Sequence, residues 1–382
     1  MKKLMRTTAL GGALVFMAAS AHAMDDGFMV GNTAFKIGGY VDLDVHMTEF
    51  SKKAIKDGAP INVDANSIVR DMYIPGATPT AADESQEYFD MSAETSRLSF
   101  TAKNGGTTGY IEIDFLGDNA DERVSNSHRP RIRRAFIKSG NWLMGQEWST
   151  FQNLSAIPES ASFLAASDGQ IFVRQQMVRW TNGPLQIALE NPGESRVDRT
   201  AFDNAERPDI VVRYNYKADF GNISASLLSR QISNGMEGDA SFDEDAVSFS
   251  VAGRVKAGPG DIRFSYSQGE GMGRYIGLHA ANEAANIDGQ MELLESTCYV
   301  LAYRLPVGDM KMGGRFNIGL SSLEVDEADA GLETVSSQYV AYLWSPKPKL
   351  TYGVEYLQGT RENFDGAEGD IDRFTFSAKF AF

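Results

Sequence analysis

Arg373-Phe374-Thr375-Phe376-Ser377-Ala378-Lys379-Phe380-Ala381-Phe382 ends the chain, and its alternation decides the fold. Phe374, Phe376, Phe380 and Phe382 share one face, while Arg373, Thr375, Ser377 and Lys379 share the other, the period of two that belongs to a strand. Working outward, the same period returns at the opposite end, where Phe35, Ile37, Val41, Leu43 and Val45 alternate with Lys36, Tyr40, Asp42, Asp44 and His46. It returns again in Leu98-Phe100-Ala102 and Ile111-Ile113-Phe115, joined by the turn Asn104-Gly105-Gly106. Further strands are expected near 131–138, 141–147, 173–181, 184–190, 209–216, 221–232, 245–256, 261–268, 296–304, 309–321, 335–344, 349–358 and 371–382. That makes roughly sixteen, an even number in the range of single-chain antiparallel barrels that leave an aqueous channel.

The connections alternate in length. Short ones rich in Gly, Pro and Asn fall at 104–106, 139–140, 182–183, 217–220, 257–260, 305–308 and 345–348, and read as periplasmic turns. Between them lie long polar segments near 49–92, 116–130, 148–172, 191–208, 233–244, 269–295, 322–334 and 359–370, which read as extracellular loops. The expected architecture is therefore an all-β transmembrane antiparallel barrel with both ends of the chain on the periplasmic side.

Residues 1–23 are read apart from this fold. Lys2, Lys3 and Arg6 precede an apolar stretch from Ala9 to Ala21 and the small-x-small sequence Ala21-His22-Ala23, the pattern of a cleaved signal peptide. The stretch is too short for a membrane helix, so the barrel domain is expected over 24–382. The formal charge is -15 and the mean hydropathy -0.28. Such an average does not argue against a membrane barrel, because lipid-facing and lumen-facing residues cancel. Cys298 is the single cysteine, so no internal disulfide forms, and a small buried thiol accounts for it.

Two signals favour lipid over a soluble sandwich or propeller. Trp180, Trp344, Tyr216 and Tyr303 occupy apolar-face positions close to short turns, where an interfacial girdle places them. The terminal strand also looks like the signal by which outer-membrane barrels engage their assembly machinery, through Phe382. Pairing it with the first strand removes the last open edge.

Several segments carry a family resemblance. Phe35-Lys36-Ile37-Gly38-Gly39-Tyr40-Val41, Asp114-Phe115-Leu116-Gly117, Glu122-Arg123-Val124-Ser125-Asn126-Ser127 and Pro130-Arg131-Ile132-Arg133-Arg134-Ala135-Phe136-Ile137-Lys138 resemble the DcaP-like porin family. So do Asn141-Trp142-Leu143-Met144-Gly145-Gln146, Trp148-Ser149-Thr150-Phe151-Gln152-Asn153 and Phe172-Val173-Arg174-Gln175. The resemblance implies a trimeric porin of the Gram-negative outer membrane, bordered by lipid and lipopolysaccharide. It also implies sixteen strands, a third loop folded into the lumen, and uptake of dicarboxylates and similar small anions. Members can carry a coiled-coil segment before the barrel. Here only about a dozen residues, counted from the strand signature, separate Ala23 from strand 1, so a homotrimer would rest on the barrel walls.

Parity places the arginines. Arg97, Arg131, Arg133, Arg179, Arg213, Arg230, Arg254, Arg263, Arg304, Arg315 and Arg373 all fall at lumen-facing positions. The energetics agree, since a lipid-facing Arg costs about 2–4 kcal/mol at the midplane. Arg133, Arg213 and Arg315 lie mid-strand and are expected nearest the constriction, although a bulge would exchange Arg133 with Arg134. Asp42, Asp44, Glu112 and Asp114 form the acidic lumen positions, expected to face a basic wall on strands 8–13. Ordinary lumen salt bridges that stiffen the barrel account for the same charges equally well.

The third long loop, 148–172, has too much apolar content (Phe151, Leu154, Ile157, Phe163, Leu164) for a loop in solvent. It is expected to fold inward with Glu159 or Asp168 facing the arginines. The functional reading is passive diffusion of small polar solutes with a preference for anions. The alternative is a non-selective general porin whose acidic loops, above all Ser51 to Tyr88, serve as an adhesin or phage receptor. An enzyme is not expected: His46, His128 and His279 are scattered, no metal-ligand spacing occurs, and Gly269-Glu270-Gly271-Met272-Gly273 is not followed by a helix. Nothing in the pattern calls for a cofactor or a nucleic-acid partner.

Overall fold

The computed structural model describes residues 27–382 apart from 57–58, 61–80, 83, 122–126, 166, 237–240, 309–312 and 329–330. The expected signal peptide and most of the Ser51 to Tyr88 surface lie outside these residues. So does Glu122-Arg123-Val124-Ser125-Asn126 of the resemblance.

Eighteen hydrogen-bonded segments make one sheet that closes on itself. Two of them, Gln86–Ser92 and Arg97–Asn104, are a single interrupted strand, and Phe28–Val30 is a short flap on the first strand, which leaves a barrel of sixteen. The strands are β1 (Thr33–Phe50), β2 (Gln86–Ser92 with Arg97–Asn104), β3 (Thr107–Asp121), β4 (Ser127–Ser139), β5 (Trp142–Trp148) and β6 (Arg174–Asn182). They continue as β7 (Leu185–Glu190), β8 (Asp209–Ala218), β9 (Gly221–Ser233), β10 (Asp243–Ala257) and β11 (Gly260–Glu270). The last five are β12 (Glu295–Val307), β13 (Gly314–Val325), β14 (Leu332–Lys347), β15 (Leu350–Asn363) and β16 (Glu368–Ala381). All neighbours in the barrel are antiparallel. Closure runs from Tyr40 opposite Ala381 to Phe50 opposite Ile371, with Phe382 N–H donating to Gly39 O at 3.1 Å. The edge groups that would otherwise sit unpaired in hydrocarbon are thereby satisfied.

Burial follows the pleat. On β1, Val41, Leu43 and Met47 are exposed on the outside while Asp42, Asp44, His46 and Thr48 are buried on the inside. The sense is inverted relative to a soluble protein, as a polar bore requires. On the outer face Trp142, Trp180, Tyr214, Tyr216, Tyr266, Tyr299, Tyr303, Tyr342, Trp344, Tyr352 and Tyr356 form two rims on β5–β15. The four aromatics placed by sequence at the periplasmic rim are among them.

Among the register irregularities of the described residues, two shape the lumen wall. Between Ser92 and Arg97 the strand leaves the ladder, and Thr95 turns inward to donate to Asp42 at 3.2 Å and Asp44 at 3.0 Å. On β4, Arg134 opposes Glu112 but Ile132 opposes Ile113, so Arg133 is an extra residue. The bulge does not exchange Arg133 with Arg134. Two residues against one point to the same side, and both guanidinium groups enter the lumen.

The lumen is partly filled by two loops. Residues 149–173 and 271–294 zip together through Ile171 opposite Ile276, Phe172 N–H to Tyr275 O at 2.9 Å and Gly277 N–H to Gln170 O at 3.1 Å. Phe151, Met272, Tyr275 and Ile276 pack on the lumen-side apolar residues Val211, Leu228, Cys298, Leu323 and Val335. Fully burying a side chain such as Phe151 is worth about 1.5–3 kcal/mol, which is why these segments leave the solvent. The segment 269–295 is thus an infolded element, not an outward loop. Its hairpin, Ala284–Ile287 with Gln290–Leu293, adds to the hairpin Ser195–Val197 with Thr200–Phe202 through Val197 beside Ala284.

Candidate channel constriction

The loop 149–173 travels along the inner wall from β5 to the far side and is tied down all the way. Asn153 donates to Ser224 Oγ at 2.9 Å and Ala252 O at 3.1 Å, and its own oxygen caps the short helical turn Leu154–Ala156. Arg263 donates to Ile157 O at 2.7 Å, and Tyr339 donates to Glu159 O at 3.0 Å. Ala161 N–H and Ser162 Oγ both donate to the buried carboxylate of Glu355, at 2.8 and 2.5 Å. Gly169 N–H reaches Ser321 Oγ at 2.7 Å. The loop therefore narrows the bore as a fixed shelf, with Leu154 left exposed and Phe151 and Leu164 packed away.

Basic groups gather on two stretches of wall. On β2–β8 stand Arg97, Arg131, Arg133, Arg134, Arg174, Arg179 and Arg213, against Glu112, Asp114, Glu147 and Glu190. Arg131 grips Asp114 with two bonds, 3.1 and 2.8 Å. Arg133 bridges Glu112 and Asp114 at 3.0 and 2.7 Å, Arg134 holds Glu147 with two bonds of 2.6 Å, and Arg97 lies 3.7 Å from Glu112. Such two-pronged pairs fix the arginine plane as well as its charge. Among the described residues Arg174, Arg179 and Arg213 have no carboxylate within ion-pair distance. Arg174 stacks over Trp148 at 4.6 Å, Arg179 donates to Trp148 O at 3.5 Å, and Arg213 donates to the carbonyls of Thr150 and Gln152.

On β10–β13 a second set, Arg254, Arg263, Arg304 and Arg315, surrounds Asp261 and the loop residue Glu159. Arg315 holds Glu159 with bonds of 2.8 and 2.6 Å. Burial alone would raise the Glu159 carboxyl, but the hydrogen bonds and charge of Arg315, with Arg263 and Arg304 behind it, hold it below the ordinary range.

The expected separation into an acidic and a basic wall is not what the side chains make. Glu112 and Asp114 are interleaved with arginines of their own wall, because the β4 bulge brings Arg133 onto both. Asp42 is taken by Lys379 at 2.9 Å and, like Asp44, is 2 % exposed. Arg230 is also withdrawn from the bore. At 1 % exposure it lies under the loop 271–294, bonded to Asp209 (3.1 Å), Glu283 (3.2 Å) and Gly271 O (2.7 Å). Glu283 receives further bonds from Arg196 N–H and Arg274 N–H, both 2.6 Å, so this cluster anchors a loop. Arg373, 3 % exposed, donates to Thr48 Oγ1 at 2.9 Å. Among the described residues Asp168 has no arginine within ion-pair distance: it accepts from Ser337 Oγ at 2.8 Å, and burial pushes its carboxyl up to about 7.

Several residues of the site were not singled out by sequence. Glu147, Glu190 and Asp261 sit at lumen parity next to a loop or turn, a signal that was present. Arg134 needed the bulge and Arg174 the strand's rim geometry, neither of which parity encodes.

The family model for the DcaP outer membrane protein matches residues 64–382. Among solved structures, the outer membrane channel DcaP of Acinetobacter baumannii is similar at TM-score 0.76 and 20% identity, covering 93% of this chain and 99% of that one. Salmonella typhi OmpF in complex with daunomycin is similar at TM-score 0.56 and 12% identity, covering 92% and 98%. The trimer form of OmpT of Vibrio cholerae is similar at 0.51 and 11%, covering 92% and 99%. The search among curated proteins gave no match.

Proposed function

The chain belongs to the DcaP outer membrane protein family and is an outer-membrane β-barrel channel, and from that premise we propose that it is a homotrimeric porin selective for small anions, dicarboxylates among them. The observation that carries this reading is the surplus of arginine over carboxylate around the shelf, above all Arg174, Arg179 and Arg213. A fixed guanidinium within about 4 Å of a passing monoanion lowers its energy by about 1 kcal/mol even at the dielectric of bulk water. A dianion gains twice that, and a cation loses it. The formal charge of -15 does not oppose this, because selectivity is set by the charges nearest the narrow section.

Arg97, Arg131, Arg263 and Arg315 extend the basic lining above and below those three. Glu159 tempers it at the shelf, while Glu112, Asp114 and Arg133 act chiefly as wall ties. Lipid and lipopolysaccharide border the outer face, and the Phe382-ended strand engages the assembly machinery. The family consists of channels. His46, His128 and His279 pair separately, with Thr375, Glu94 and Glu283. Among the described residues no group of three or more potential ligands could hold a metal.

Liposome swelling tests the proposal with three solutes of similar size: a four-carbon dicarboxylate, a neutral polyol and a diamine. The dicarboxylate is expected to enter fastest and the diamine slowest. Equal rates, or the reverse order, would contradict it.

A further inference from the structure

At the end of the barrel that carries the short turns, the wall of β9–β12 encloses a pocket of about 370 Å³. Arg254, Lys256, Asp261 and Arg304 line it, with Asn222 and the turn Gly258-Pro259-Gly260 beside them. Its volume falls within the about 300–1,000 Å³ of cavities that take a small ligand. The shelf borders it without filling it: Ser155 Oγ donates to Asn222 Oδ1 at 2.6 Å, and Arg263 reaches Ile157 O.

The strand register crowds positive charge here. Arg254 on β10 stands directly opposite Arg263 on β11. One step nearer the turn, Asp261 stands between Lys256 on β10 and Arg304 on β12. Like charges directly opposite one another cost a sheet stability. Asp261 offsets that cost only in part. Its Oδ2 accepts from Arg254 at 3.0 Å and from Arg304 at 2.9 Å, and its Oδ1 accepts from Arg263 at 3.0 Å. The nearest further carboxylate, Glu159, is held by Arg315 and lies 3.9 Å from Arg304. Among the described residues the exposed Lys256 has no ion pair.

One carboxylate therefore positions three guanidinium groups and leaves the group as a whole strongly positive. Arg254 uses a single nitrogen on Asp261, and at 40% side-chain exposure its remaining donors face water. A second anion entering the pocket would relieve the opposed charges. A planar carboxylate offers two oxygens, the number Asp261 already supplies. A phosphate monoester offers three strong acceptor oxygens and about -1.5 to -2 charges at neutral pH, enough to meet donors arriving from two strands at once, and guanidinium groups suit it in geometry as well as charge.

We propose that the pocket of Arg254, Lys256 and Arg304 binds the phosphate group of a small solute at the periplasmic mouth of the channel. The site does not rest on the anion selectivity proposed above, since it lies beside the turns and would hold its ligand whatever governs passage at the shelf.

Isothermal titration of the whole mature chain in neutral detergent tests the site, with glycerol 3-phosphate as the probe and a four-carbon dicarboxylate for comparison. Saturable binding of one phosphate ester per chain is expected, several-fold tighter than that of the dicarboxylate. Arg254→Gln is expected to weaken it about tenfold or more, the worth of a charge-assisted hydrogen bond. Lys256→Gln should weaken it less and Lys256→Glu abolish it, both keeping the heat-modifiable mobility of a folded barrel. Arg179→Gln, at the shelf, should keep the affinity. If Arg254→Gln does not fold, the two Lys256 variants decide. The absence of saturable binding, equal affinity for the two probes, or an affinity lowered by Arg179→Gln and untouched by Lys256→Glu would overturn the proposal. Binding as described in a channel that admits diamine as fast as dicarboxylate would contradict the selectivity and leave this site standing.

Discussion

Replacing Glu355 by Ala removes the clamp on the far end of the shelf. Its carboxylate receives Ala161 N–H and Ser162 Oγ, both buried, and among the described residues no other side chain of the barrel wall bonds those two residues. A bond to a charged acceptor is worth about 1.5–3 kcal/mol, and partial rehydration of the freed donors returns some of it, leaving a loss of about 2–4 kcal/mol. At about 1.4 kcal/mol per factor of ten, states with the shelf tip released rise by roughly 30- to 700-fold. The anchors at Asn153, Ile157 and Glu159 remain, so the pore widens at one side only. Single-channel recording is expected to show higher mean conductance and added flicker in Glu355→Ala. Glu355→Gln keeps an acceptor oxygen and should give a smaller effect. Unchanged conductance and noise in a folded Glu355→Ala barrel would refute the view that this loop sets the constriction.

Arg179→Gln and Arg213→Gln each remove an unpaired charge from the bore. Each is expected to lower the anion-to-cation permeability ratio about thirtyfold in dilute salt, because at close approach the anion loses about 1 kcal/mol and the cation regains about 1 kcal/mol, and less as salt screens it; bi-ionic potentials measure this. Glu159→Gln should move the same ratio the other way, because Arg315 and Arg304 lose their neutralising partner; a fall in the ratio would contradict that. For Asp168, whose carboxyl is raised from 3.8 to about 7, the neutral form stabilises the shelf below its ordinary value. That contribution fades as pH rises toward and past about 7. The thermal midpoint is therefore expected to fall between pH 5 and pH 9, and Asp168→Asn to flatten the fall; an undiminished slope in the variant would count against it.

The strand order was legible because hydrocarbon and water select residues at every second position, a rule that Phe374, Phe376 and Phe380 obey as plainly as Val41 and Leu43. It fails where one residue is added. Arg133 and Arg134 both enter the lumen because the register slips at Ile113, and such a slip leaves no mark in a periodic pattern. The infolding of 271–294 was hidden for another reason: Met272, Tyr275 and Ile276 are too few to read as a core until Leu323 and Val335 come into contact with them. Pairing is likewise a three-dimensional matter. Parity put Arg230 and Arg213 in one class, yet Arg230 is enclosed by Asp209 and Glu283, while among the described residues Arg213 hydrogen-bonds only backbone carbonyls.

The sign of the zero-current potential across a bilayer holding the unaltered protein, with potassium chloride tenfold more concentrated on one side, tests the central claim most directly. A potential of the polarity set by chloride crossing faster than potassium is the predicted result. A potential of potassium polarity would show that the arginines around the shelf do not govern what passes.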